Sequence, residues 1–116
     1  MSAKSPECYT TDPQARCLRV EASPRKIFIL PLDQFAFAEM DSDGKEQLLH
    51  LSFATHEIMV HGTALRRVET ALHRLELSFI TTLPAKYHPL VADGQPKIRD
   101  IVVTEIKSGA EPGQQN

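Results

Sequence analysis

The sequence predicts one small α+β domain, with a mostly antiparallel sheet of about five to six strands and one principal amphipathic helix. Within residues 48–83, strand-like and helix-like patterns follow one another with almost no spare residues. The turns between the strand-like runs are short, and short turns join antiparallel neighbours. A chain of 116 residues is also the length of a single domain.

Two strands are predicted ahead of that unit. Residues 26–30 form a short apolar run that Pro31 interrupts, and Phe35 and Phe37 then alternate with alanines. The polar turn at 41–45 contains Asp43-Gly44, a pair typical of hairpin turns. We therefore expect a hairpin between this strand and one that begins near residue 47.

A second hairpin is predicted immediately afterwards. Leu49, Leu51 and Phe53 alternate with polar residues, and apolar residues alternate again at Ile58 and Val60. Period-two alternation is typical of half-buried strands. The phase break at residues 54–57 therefore predicts a tight turn.

An amphipathic helix of about three to four turns is expected next, because apolar residues recur at helical spacing. Gly62 is expected to end the preceding strand, and the hydroxyl of Thr63 is expected to cap the helix. The predicted buried face of the helix consists of Leu65, Val68, Leu72 and Leu75, and its expected partners are Phe35, Phe37, Leu51, Phe53 and Phe79.

The rest of the chain is divided by its prolines and glycines. We expect a strand at 77–83, a loop at 85–97, and a final strand at 98–106 that is apolar on both faces at Ile101, Val102 and Val103. Residues 1–24 are expected to form a flexible N-terminal arm, residues 25–107 the α+β domain, and residues 108–116 a disordered tail.

Charge and composition narrow the class of protein more than its function. The formal net charge is −2, which gives no overall attraction to nucleic acid or to an anionic membrane. No apolar run is long enough to span a bilayer, and the N-terminus lacks a secretory signal, so we expect a cytoplasmic protein. Cys8 and Cys17 are expected to be reduced thiols, although a disulfide between them stays open.

Histidines supply the first group of candidate site residues. His56 and His61 are five residues apart in a strand-like segment, which sends their side chains to opposite faces. His50 and His56 have matching parity and could approach each other across the sheet. We predict no metal and no cofactor, and His50, His56 and His61 are the candidates should a metal bind.

Arginines and the long loop supply the other candidates. Arg66, Arg67 and Arg74 could contact phosphates from the helix, but interleaved glutamates favour an ordinary solvated surface. Tyr87 and His88 lie in a proline-bracketed loop of the kind that often holds binding residues. No catalytic residue is predicted, because no nucleophile has an identifiable base and orienting partner.

Residues 30–39 read Leu-Pro-Leu-Asp-Gln-Phe-Ala-Phe-Ala-Glu, and a polar turn, two strands and Val60-His61-Gly62-Thr63 then lead into the helix. This arrangement resembles the first half of a LytTR-type DNA-binding domain over about residues 26–72. The resemblance implies a similar topology, with DNA binding as the function of that family. The family's second half, a basic His-Arg-Ser stretch before an Ile-Val-Asn strand, has no counterpart in residues 77–89.

The leading hypothesis is a small non-catalytic protein-binding or assembly module that acts through a sheet edge or the exposed helix face. A core this small favours a homo-oligomer, and a different protein partner is the other option. The surface expected to mediate contacts comprises Arg66, Arg67, Arg74, Tyr87, His88, Val102 and Val103. The alternatives are a nucleic-acid-binding regulator and a small enzyme whose site lies around the histidines and Tyr87.

Overall fold

A computed structural model describes residues 7–106, and the expected tail at 108–116 lies outside them. Within the described range the chain is a small sheet-rich α+β fold with eight strands, two four-stranded sheets and one α-helix. The elements are β1 (Tyr9–Thr11), β2 (Cys17–Ser23), β3 (Lys26–Pro31), β4 (Phe35–Asp43), β5 (Glu46–Phe53), β6 (His56–Thr63), α1 (Arg66–His73), β7 (Leu77–Thr81) and β8 (Lys97–Glu105). The prediction of a mostly antiparallel α+β fold is confirmed, but the single sheet of five to six strands is replaced by two sheets.

The second sheet has the strand order β4-β5-β6-β8 and is antiparallel throughout. Both predicted hairpins are confirmed. Asp43 pairs with Glu46 around a two-residue turn in which Gly44 has φ +65°, a left-handed conformation that glycine adopts at little cost. Ala54 and Thr55 form the second turn, between β5 and β6.

Gly62 lies inside β6 and does not end it. The pairing register of β6 with β8 shifts between His61 and Gly62, and a Cβ atom on Gly62 would overlap with the backbone carbonyl of Lys97. Only glycine therefore allows the two strands to approach this closely at the bulge. Thr63 pairs with Lys97 as the last residue of the strand, so the prediction that it caps the helix is wrong.

The first sheet has the order β1-β7-β2-β3, with β2 and β7 parallel and the other pairs antiparallel. Its strands β1 and β2 come from residues 7–24, which were expected to form a flexible arm. Leu18 and Val20 of β2 are fully buried, and so is Cys8. These residues are ordered because β7, from the far side of the helix, pairs with both strands.

Helix α1 has eight residues and is shorter than predicted. Ala64 before it and Leu75 after it both have φ +56°, so left-handed residues bracket the helix. The backbone N–H of Leu65 donates to Oε1 of Gln47 at 2.7 Å, which satisfies an amide at the start of the helix from a neighbouring strand.

One apolar core is shared by both sheets and the helix, and its fully buried members include Leu18, Leu51, Phe53, Ile58, Leu72 and Ile80. Two residues predicted to be buried are exposed: Leu75 at 47% and Phe37 at 53%. Leu75 lies beyond the end of the helix, and Phe37 lies on the outer face of β4. No helix within residues 7–106 is long and apolar enough to cross a membrane.

Candidate functional site

The four edge strands of the two sheets differ in how they are protected from pairing with another chain. Strand β1 is only three residues long. Strand β4 carries three carboxylates, and β8 carries four charged side chains. Strand β3 has six residues and no charged side chain after Lys26. Short length, charge and proline are the usual protections of an edge. Strand β3 has such protection only at its two ends, in Lys26 and Pro31, so its middle is the least protected edge in the described part of the chain.

Strand β3 lies at the end of the first sheet and pairs only with β2 among residues 7–106. Its inward side chains are Phe28 and Leu30. Its outward side chains, Ile27 and Ile29, are 44% and 62% exposed. Sequence reasoning missed these two isoleucines as site residues, although the run Ile-Phe-Ile-Leu is apolar on both alternations, the pattern of a strand covered on both faces.

The surface beside the two isoleucines carries little net charge. Ile29 pairs with Arg19, and Ile27 pairs with Glu21 on β2. Arg19 Nη2 and Glu21 Oε2 are 3.4 Å apart and form an ion pair. Because the charges of Arg19 and Glu21 cancel, the two isoleucines lie beside an ion pair with no net charge on the outward face of β2 and β3.

The candidate histidines are divided between the two faces of the second sheet. His50 pairs with Met59, and Leu48 pairs with His61, which places His50 and His61 on the outer face. His56 lies on the opposite face of β6. The predicted separation of His56 and His61 is confirmed. The approach of His50 and His56, which the sequence left open, does not occur, because the β5–β6 turn sets the opposite register.

Among the described residues, His50 and His56 each have a local hydrogen-bonding neighbour, whereas the buried Nδ1 of His61 has none. His50 Nε2 lies 3.3 Å from Glu57 Oε1, and His56 Nδ1 lies 2.7 Å from the Thr55 hydroxyl. His61 Nδ1 is 3.7 Å from Asp100 Oδ2, beyond hydrogen-bond distance. Across residues 7–106 no three histidine, cysteine or carboxylate side chains come together in a way that could hold a metal ion.

The arginines of the helix are brought together more closely than the sequence indicated. Arg66, Arg67 and Arg74 are all exposed and line one groove between α1 and β1. Of the two glutamates expected to dilute their charge, Glu76 borders this groove. Glu69 lies on the other flank of the helix, beside Phe35, Ala38, Leu72 and His73.

The remaining candidates belong to two elements, a short 3-10 helix and β8. Tyr87 and His88 belong to a short 3-10 helix, where His88 Nε2 lies 2.8 Å from the Leu83 carbonyl and the Lys86 ammonium lies 5.0 Å from the centre of the Tyr87 ring. These contacts stabilise the loop itself. On β8, Val102 is exposed and Val103 is half-buried.

The two cysteines have different environments and are not bonded to each other. Cys8 is buried, and its thiol donates to the Pro96 carbonyl at 3.2 Å. Burial raises the pKa of the Cys8 thiol, which makes it a poor nucleophile at neutral pH. Cys17 is exposed on β2.

Comparison with protein-family models, with curated proteins and with solved structures found no match to this chain. The topological resemblance to a LytTR-type domain therefore gains no support from a family match. Any functional argument rests on the surfaces of the molecule itself.

Proposed function

We propose that this chain is a small non-catalytic assembly module that forms a homo-oligomer by pairing of the β3 edge. The observation that carries the proposal is the unprotected edge itself, with six residues, two exposed isoleucines and no charge after Lys26. Such an edge presents unpaired backbone donors and acceptors to another strand. A second copy of the chain carries the same edge and can therefore pair with it.

Antiparallel pairing of two β3 strands gives a closed dimer with two-fold symmetry. A two-fold axis near Phe28 sets Ile27 of one copy opposite Ile29 of the other, and the reverse on the other side of the axis. Cross-strand apolar pairs of this kind stabilise antiparallel sheets. The two first sheets then join into one continuous sheet of eight strands.

The non-catalytic part of the proposal is supported by the separation of the reactive groups. The hydroxyl nearest a histidine is that of Thr55, which bonds its neighbour His56 in an exposed turn. A catalytic nucleophile needs a base that a third group orients. The described contacts of Thr55 and His56 include no carboxylate.

Sedimentation velocity from micromolar to submillimolar concentration tests the assembly. The wild-type chain should form a dimer, and Ile29→Lys should sediment as a folded monomer, because a lysine on an edge strand opposes pairing with another strand. Val102→Lys is the matched control, since Val102 is an exposed valine at 46% on the charged edge β8. Its dimer should persist.

A wild-type chain that stays monomeric throughout this range would refute the proposal. Loss of the dimer in Val102→Lys but not in Ile29→Lys would move the interface to β8, where the sequence placed it. Circular dichroism of each variant shows whether it is folded, so that loss of assembly is not confused with loss of structure.

The nucleic-acid alternative has one observation in its favour, which is the convergence of Arg66, Arg67 and Arg74 on one groove. The net charge of −2 opposes it, because duplex DNA binding depends on neutralising several phosphates with clustered cations. The groove is better explained by a smaller anion.

A further inference from the structure

The groove between α1 and β1 is a concave surface with a net positive lining. It has a volume of about 400 Å³, which lies within the range of small-molecule sites. Its lining consists of Tyr9, Thr11, Arg66, Arg67, Thr70, Ala71, Arg74 and Glu76. Three cationic side chains thus face one carboxylate.

These guanidiniums are not used to stabilise the fold. The ion pairs that arginines form within residues 7–106 are Arg19 with Glu21 and Arg99 with Glu46. Arg66, Arg67 and Arg74 form none with the described residues, although Glu76 borders the same groove. Concentrating like charges without partners costs free energy, and an anionic ligand would offset that cost.

The spacing of the arginines indicates the size of the anion. Arg66 and Arg67 are adjacent at the start of α1, and Arg74 lies seven to eight residues further on, about 10–12 Å along a helix axis. One phosphate or carboxylate cannot reach guanidiniums at both ends unless the side chains fold inward. A ligand with two or more linked anionic groups can contact all three.

The chemistry of the lining favours phosphate over carboxylate. Guanidinium forks bind phosphate oxygens in a bidentate way and stay charged at every physiological pH. Thr11 and Thr70 are exposed in the groove and add hydroxyl donors, which suit the several oxygens of a tetrahedral phosphate. Tyr9, which also lines the groove, is half-buried.

We propose that the α1–β1 groove is a binding site for a small ligand that carries a chain of two or more phosphate groups. Arg66 and Arg67 hold one end of the chain, and Arg74 holds the other. The site is independent of the proposed assembly, because β1 and β3 are opposite edges of the first sheet. Both surfaces can be occupied in the same molecule.

Isothermal titration calorimetry with tripolyphosphate, at low and at physiological salt, tests the site. The full-length chain should bind one tripolyphosphate per protomer, and orthophosphate should bind at least roughly tenfold more weakly. Arg67→Gln should weaken tripolyphosphate binding roughly tenfold, and the double variant Arg67→Gln, Arg74→Gln roughly a hundredfold, because each change removes charged hydrogen bonds. Both residues are exposed, so the variants should keep the wild-type circular dichroism spectrum.

Arg25→Gln is the matched control, because Arg25 is an exposed arginine in the turn between β2 and β3, away from the groove. It should bind tripolyphosphate as the wild type does. Equal weakening by Arg25→Gln and Arg67→Gln would reduce the effect to overall charge and overturn the proposal, as would no binding at millimolar tripolyphosphate. One-to-one binding of a DNA duplex that tripolyphosphate does not displace would assign the groove to nucleic acid instead.

Discussion

The two sheets of this protein present opposite kinds of edge to solvent. The second sheet ends in β4, with Glu39, Asp41 and Asp43, and in β8, with Asp100 and Glu105 among its charges. The first sheet ends in the very short β1 and in the apolar β3. Pairing at a carboxylate-rich edge would bring like charges together or remove them from water, and both cost free energy. The contrast between the edges therefore supports the β3 edge, rather than an edge of the second sheet, as the proposed site of assembly.

Helix α1 shows the same segregation of charge on its two flanks. Towards β1 it presents Arg66, Arg67 and Arg74. Towards β4 it presents Glu69 and His73, beside Phe35. Both proposed binding surfaces consequently belong to the first sheet and its side of the helix, while the acidic side chains collect on the second sheet.

The largest expected effect is a loss of folding stability when the core side of the first sheet is changed. Leu18→Ala should lower the free energy of unfolding by about 2–5 kcal/mol, as much as Leu51→Ala in the second sheet, because both leucines are fully buried in one shared core. Urea unfolding of the two variants measures the difference. A negligible loss for Leu18→Ala beside a large one for Leu51→Ala would show that the first sheet is a loosely attached layer.

The two sheets also differ in how far the sequence predicts them. The second sheet has two hairpins between consecutive strands, so alternation around Leu51 and the Asp43-Gly44 pair was enough to predict them. The first sheet depends on pairing between residues far apart, such as Arg19 with Phe79. Strand β1 has only three residues, β2 is polar on one face, and nothing local in the sequence indicates the strand with which either will pair.

The candidate surfaces were also harder to predict where they depend on pairing between distant residues. Helical spacing placed Arg67 and Arg74 on one face, but β1 was not predicted, so the groove that it forms with α1 was missed. Glu69 and Glu76 are similarly spaced in sequence, yet only Glu76 borders the groove. Tertiary contacts decide which charged side chains neutralise one another. Spacing in the sequence does not show those contacts.

A smaller effect is expected at the bulge that joins β8 to the second sheet. Gly62→Ala should cost about 1–3 kcal/mol, because the new methyl group overlaps with the Lys97 carbonyl and the two strands must move apart. Gly44→Ala is the matched control: it lies in open space at φ +65° and should cost about 1 kcal/mol from backbone strain alone.

Thermal and urea unfolding of both glycine variants measure these losses. Hydrogen exchange should also show faster exchange at β8 in Gly62→Ala and an unchanged β8 in Gly44→Ala. If the two variants lose equal stability with equal exchange at β8, the close approach of β6 and β8 is not a constraint. The β8 edge of the second sheet would then be flexible enough to accept the added methyl group.

The smallest effect is expected where the helix ends and the chain turns into the first sheet. Leu75 has φ +56°, the N–H of Glu76 donates to the Ala71 carbonyl at 2.9 Å, and the N–H of Leu75 donates to the Leu72 carbonyl at 2.9 Å. This is a Schellman motif with leucine in the left-handed position that glycine usually occupies. Leu75→Gly removes the strain and loses a half-exposed side chain, whereas Leu75→Ala loses the side chain and keeps the strain. Leu75→Gly should therefore be more stable than Leu75→Ala by about 1 kcal/mol in urea unfolding. Equal stabilities of Leu75→Gly and Leu75→Ala would mean that the left-handed conformation at residue 75 costs no free energy. The end of the helix would then be determined by the start of β7.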